Sequence, residues 1–168
     1  RPRRPSCRTG SAPARLEHHP AALAAFDPAL AIEPDRPRFL FALAATLRSR
    51  HRYREAADLL QRAIACHPDR AEYHFNLGQI RRSTSDFAGA RAAFARTLEL
   101  APDHLQARYY HSDLLARDQQ LEAARQGFAA LLAQDSTHFQ GLLGFGGLLI
   151  TLGAAQQAAT QLERAATI

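Results

Sequence analysis

The chain has 168 residues, enough to bury a core, and its 21 basic residues, all Arg, outnumber 16 acidic ones for a formal net charge of +5. Five of those Arg (Arg1, Arg3, Arg4, Arg8 and Arg15) fall in the first fifteen positions and every acid comes later, so the body from Leu16 onward sets 16 Arg against 16 acids. A formally neutral body argues against the one-sided basic surface that phosphate neutralisation needs, and no stretch approaches the ~20 apolar residues of a membrane span.

Residues 1–15, with two early prolines and almost no large apolar group, are expected to be a disordered Arg-rich tail: a leader, or alternatively a basic arm for an acidic partner. The tail followed by AALAAFDPALAI imitates a basic region and short apolar core with a small-x-small site at Ala29-Leu30-Ala31, but Asp27 and Pro28 interrupt the run. No Met occurs, even at position 1, so the chain is expected to be an excerpt or a processed piece of a longer product. Cys7 and Cys66 have no spacing that suggests a metal site or a disulfide framework, which makes a reducing, cytoplasmic setting the default.

From Pro20 to Glu33 the pattern is one helix of a half repeat, with Pro28 expected to kink it. Helix pairs then follow: Pro37–Ser49 with Tyr53–His67, Ala71–Arg82 with Phe87–Ala101, Leu105–Arg117 with Leu121–Gln134, and Phe139–Leu152 with Ala154–Thr167. The unit over Arg70–Asp103 is the clearest. Its first helix sets Tyr73, Leu77 and Ile80 at helical spacing, with Gly78 as a point of close helix approach. Its second carries Phe87, Ala90, Ala93, Phe94 and Leu98 on one side before Pro102 stops it. Gly141, Gly144, Gly146 and Gly147 in the last pair mark either its softest or its most tightly packed helix.

The pairs repeat at a fixed step. Pro34, Pro68 and Pro102 are 34 apart, and the same step relates Ala22 with Phe26, Ala56 with Leu60, Ala90 with Phe94, Ala124 with Phe128 and Ala158 with Leu162. A hairpin of this kind cannot bury its apolar face alone, so stacked neighbours must form a continuous core. The implied division is a tail over 1–15 and an array over 16–168: a half repeat at 16–34 and repeats at 35–68, 69–102, 103–136 and 137–168. The last helix ends without a polar capping helix, so the native chain is expected to continue.

With Leu77-Gly78, Ala90, Phe94 and Pro102 the chain resembles the tetratricopeptide repeat family, with His74 and Arg81 where that family favours Trp and Tyr. The other units offer Leu43-Ala44, Ala56 and Leu60; His111-Ser112, Ala124 and Phe128; and Phe145-Gly146, Ala158 and Leu162. The resemblance implies an all-α, right-handed superhelical solenoid of stacked antiparallel helix pairs whose first helices line a concave groove for peptides or partner helices. Carried over by register, the groove residues are Arg38, Phe41, Arg48, Phe75, Asn76, Gln79, Arg82, Tyr109, Asp113 and Leu143, with Ala45, Glu72, Gln106, Ala116, Gln140, Gly147 and Ile150 beside them. Phe41, Phe75, Tyr109 and Leu143 form an apolar ladder that either meets a partner or packs on the neighbouring hairpin. The carboxylate clamp found in some members fails here, because only Asn76 matches while Phe41, Ala45, Gln106 and Tyr110 stand at its other positions.

Three functions follow as expectations. The first is a non-catalytic scaffold for a protein or peptide partner carrying apolar and acidic residues, with no cofactor and no metal. The second, implied by the family, is the substrate-docking arm of a larger glycosyltransferase, sulfotransferase or iron-dependent oxygenase. The third is an RNA reader of the related pentatricopeptide type, disfavoured by the neutral body. Self-association through a bare apolar end is a further expectation. The eight His show no His-x-x-x-His or carboxylate triad on one helical face and are read as surface or satisfied side chains, and the Gly cluster at 141–147 lacks the Lys-Ser/Thr of a phosphate loop. Arg108 and His111 stand where the family places packing residues, which marks the third unit as degenerate or its polar groups as facing something outside.

Overall fold

A computed structural model of the chain describes residues 37–168, so the expected tail and half repeat lie outside the described residues. Eight helices make up the described part: α1 (Pro37–Ser49), α2 (Tyr53–Cys66), α3 (Ala71–Ser83), α4 (Phe87–Leu100), α5 (Leu105–Arg117), α6 (Leu121–Gln134), α7 (Phe139–Thr151) and α8 (Ala155–Ala166). Each begins and ends within a residue of the span its sequence predicts. Every helix packs on its chain neighbours, and α5 also touches α7, so the four antiparallel pairs stack into an all-α solenoid.

The 34-residue step is written into the turns. Within each pair the first helix closes with a six-residue backbone bond: Arg52 N–H to Leu47 O, Asp86 to Arg81, Gln120 to Leu115 and Ala154 to Leu149, all at 2.9 Å. The residue before each of these donors is left-handed: His51 (φ 60°), Ser85 (62°), Gln119 (58°) and Gly153 (74°). This is the geometry in which a left-handed residue ends a helix and satisfies its last carbonyls. Only the fourth unit uses Gly there, and the others carry a Cβ where it is unfavourable. Gln119→Gly should therefore stabilise the fold by about 0.5–1 kcal/mol and Gly153→Ala should cost a similar amount, read as shifts of the urea midpoint.

Between pairs, the amides of His67, Ala101 and Asp135 bond to the carbonyls of Ala63, Thr97 and Leu131, again at a step of 34. The carbonyl at the proline position is latched each time by a different donor. His74 Nε2 reaches Pro68 O at 2.9 Å, Arg108 Nη2 reaches Pro102 O, and Arg164 Nη2 from α8 reaches Ser136 O at 2.7 Å. Arg108 thus has a structural task at a position that is a fully buried Leu in the first and fourth units, Leu40 and Leu142. Its Nε is buried without a partner.

The core runs along the seam between helices, from Leu40, Leu43 and Leu47 through Leu60, Tyr73 and Leu77 to Phe94, Phe128, Leu131 and Leu149. Small residues at one register, Ala44, Gly78, Ser112 and Gly146, let the paired helices approach; all four are buried. A Cβ on Gly78 would lie 2.7 Å from the Phe94 ring. In the third unit the hydroxyl of Ser112 occupies the space because Gly127 faces it, and a Cβ there would come within 2.1 Å of that oxygen. The degenerate third unit is thus packed, with Ser112 Oγ donating to Arg108 O at 2.8 Å. Phe87 corrects the sequence pattern: instead of joining the core at the start of α4 it is exposed, with the Arg117 guanidinium 5.9 Å from its ring centre. Thr97, passed over in the apolar pattern, is fully buried because its hydroxyl donates to Ala93 O within the helix. Cys66, given no bonding partner by sequence spacing, is not a free thiol.

His111 stands where the first two units bury Leu43 and Leu77. Burial pushes its pKa below the ordinary 6.5, and Arg91 of α4 and Arg108 of its own helix push the same way. As pH falls, the unfolded chain takes up this proton before the folded one does. Stability is therefore undiminished above pH ~6.5, declines below it, and stops declining below the folded-state value. Urea midpoints measured from pH 7.5 downward should fall more steeply for the native chain than for His111→Leu.

Candidate functional site

The predicted site residues all lie on the first helices, α1, α3, α5 and α7. On α1, Arg38, Phe41, Ala45 and Arg48 follow helical spacing along one face. Between α1 and α3 this face carries a shallow depression lined by Phe41, Ala45, Arg48 and Asn76, with Leu60 and Ile80 also contributing to its walls. Arg48 Nη1 donates to Gln79 Oε1, which ties α1 to α3. The Arg82 guanidinium lies 4.5 Å from the Tyr110 ring centre and ties α3 to α5. Asn76 donates from its side-chain amide to Glu72 O at 2.9 Å, so one of its donors serves its own helix. Asp113 accepts from Arg117 Nε at 3.1 Å.

The apolar ladder is half in the seam. Phe41 packs against Tyr73 with ring centres 5.3 Å apart. Phe75 lies 5.8 Å from Phe94 and 4.4 Å from His104, and Tyr109 lies 6.3 Å from Phe128 and 5.9 Å from His138. All three rings are half-buried, whereas Leu143 at the same register is exposed. Burial, followed by the Asp113 carboxylate and Tyr110, raises the pKa of Tyr109, which keeps its phenol protonated as a hydrogen-bond donor.

Two of the histidines read from the sequence as surface or satisfied side chains lie against this ladder. His104 Nδ1 accepts from Ala107 N–H at 3.2 Å and His138 Nδ1 from Gly141 N–H at 3.0 Å, so each caps the first helix of its unit. The same rings lie against Phe75 and Tyr109 of the preceding units. The available signal was position: both precede a helix start by one residue and are 34 apart.

The glycines of α7 divide by environment. A Cβ would meet Leu131 from Gly141, Phe128 from Gly144 and Leu162 from Gly146, all within 3.0 Å, but Gly147 faces open space. Beside Gly147, Phe139, Leu143 and Ile150 are exposed, and α7 carries no charged residue. Among the described residues no three His, Cys, Asp or Glu side chains are grouped to hold a metal, and no helix is long and apolar enough to cross a membrane.

Solved structures share the fold. MamA from Desulfovibrio magneticus RS-1 superposes with a TM-score of 0.80 at 15% identity over 86% of this chain and 82% of its own. YrrB, described as a TPR protein with an unusual peptide-binding site, gives 0.76 at 22% identity over 85% and 74%. The first TPR of Spaghetti (RPAP3), solved bound to the HSP90 peptide SRMEEVD, gives 0.67 at 16% identity over 70% and 94%. No curated protein sequence matches the chain. The family model for the tetratricopeptide repeat matches residues 8–71, 46–104 and 75–138, which together span more than half of the sequence. With that match and the 34-residue geometry of its turns and seams, the chain belongs to the tetratricopeptide repeat family.

Proposed function

We infer that this chain is a non-catalytic scaffold that holds a peptide or helix of a partner protein along the face shared by α1, α3, α5 and α7. The observation that supports it best is the composition of that face: half-exposed rings at Phe41, Phe75 and Tyr109, an exposed Leu143, and beside them Arg38, Arg82 and Gln106, whose side chains make no hydrogen bond or ion pair among the described residues. Rigid rings and planar guanidinium groups are the side chains that anchor interfaces, because they bury large areas at little entropic cost. Two proteins of the same fold are described as peptide-binding. A docking arm of a larger enzyme would use the same face in the same way.

The test fills the depression without touching the seam. Ala45 is exposed and lines it, so Ala45→Trp should leave the helix content and melting unchanged. Peptides selected on the native chain from a phage-displayed random library should lose binding at least tenfold on Ala45→Trp. Selected peptides that bind both forms equally would place recognition elsewhere.

A further inference from the structure

Resting on that groove reading, we propose that the groove is polarised along its length and takes a segment with an acidic part over α1 and α3 and an apolar part over α7. The charges carry the first half. Helix α1 has no acidic residue and α3 has only Glu72, yet their exposed face carries Arg38, Arg48 and Arg82. Among the described residues none of the three is paired with a carboxylate: Arg48 is spent on the neutral amide of Gln79, Arg82 on the Tyr110 ring, and Arg38 has no partner there. Four Arg of the later helices are instead neutralised by carboxylates, Arg91 by Asp118, Arg96 by Glu99, Arg117 by Asp113 and Arg125 by Glu122, while Arg108 and Arg164 are bound to backbone carbonyls. An unpaired guanidinium at an interface is completed by a carboxylate, which it binds through two parallel hydrogen bonds.

The apolar residues carry the second half. At 100° per residue, Phe139, Leu143, Gly147 and Ile150 fall within an arc of roughly 80° on α7. Phe139 is 50% exposed, Leu143 42% and Ile150 60%, and no described residue stands over Gly147. Three steps between packed helices at about 10 Å each make a face roughly 30 Å long, the reach of about nine extended residues. One short segment can therefore meet both ends. Asp113 in the middle is paired with Arg117, which offsets its charge toward the acidic part.

The full 168-residue chain, used to select from a random dodecapeptide phage library, should enrich peptides with Asp or Glu clustered at one end and Leu, Ile, Phe or Met at the other. In fluorescence anisotropy the combined Arg38→Gln, Arg48→Gln and Arg82→Gln variant should weaken the selected peptide at least tenfold and abolish most of its salt dependence. Leu143→Ser with Ile150→Ser should weaken it as much without changing the salt dependence. Peptides that require an open groove, losing binding on Ala45→Trp, but show no acidic bias and ignore the triple Arg variant would overturn this proposal and leave the groove reading standing. Peptides indifferent to Ala45→Trp, or no enrichment at all, would overturn both. Concentration-dependent dimerisation abolished by Leu143→Asp and Ile150→Asp would assign the α7 face to a second copy of the chain and likewise overturn the proposal.

Discussion

Phe94→Ala should destabilise the fold by about 3–5 kcal/mol, among the largest effects of any single truncation in the chain. The side chain is 0% exposed on α4 and joins two repeats. One side of its ring fills the space left by Gly78 of its own unit, and the other meets Phe75 and stacks on Tyr110 of the next, at 5.8 and 5.3 Å between ring centres. Removing it opens a cavity that neither partner can fill, because Tyr110 is held by Arg82 and Phe75 by His104. Repeat arrays are stabilised chiefly by such nearest-neighbour interfaces, so the break lies between the second and third units. Chemical denaturation should show the midpoint falling and the transition broadening as α1–α4 and α5–α8 lose their coupling.

Gly78→Ala and Gly147→Ala should have opposite signs although both replace an interior helical glycine. Helix propensity alone predicts a gain of up to about 1 kcal/mol for each. At Gly147 the gain is unopposed, because no atom of the described residues lies within 4 Å of the new methyl. At Gly78 the methyl would sit 2.7–3.0 Å from three atoms of the Phe94 ring, which is fully buried and cannot turn away. Overpacking of that kind costs about 1–3 kcal/mol and reverses the sign. Phe94→Leu in the same chain should relieve much of the Gly78→Ala penalty, since a shorter side chain clears the space. Additive effects of the two substitutions would show that the close approach at Gly78 is not what fixes the residue.

Element positions were legible in the sequence because period and pattern agree. The prolines at a step of 34 and the apolar spacing of Tyr73, Leu77 and Ile80 locate helix ends to within a residue. Side-chain surroundings were less legible. The sequence marks Gly141, Gly144, Gly146 and Gly147 alike, and only the facing side chains separate three packed positions from one open one. The left-handed residues His51 and Gln119 carry no turn signature, since they are imposed by the helix-ending bond and not by their own preference. Phe87 reads as core by hydrophobicity, but its place at the first residue of α4 leaves it outside the seam. At the candidate site the register placed the predicted residues on the first helices α1, α3, α5 and α7. It did not reveal that Arg48, Gln79, Arg82 and Tyr110 bridge neighbouring units, nor that His104 and His138 cap helices while lying against the ladder.

The proposed seat of the partner segment is the row of first helices. It is tested most directly by mapping backbone amide shifts in the full chain as a selected peptide is added. Changes should concentrate at Ala45, Gln79, Asp113 and Gly147, the same register on α1, α3, α5 and α7. Changes confined to α2, α4, α6 and α8 would contradict it.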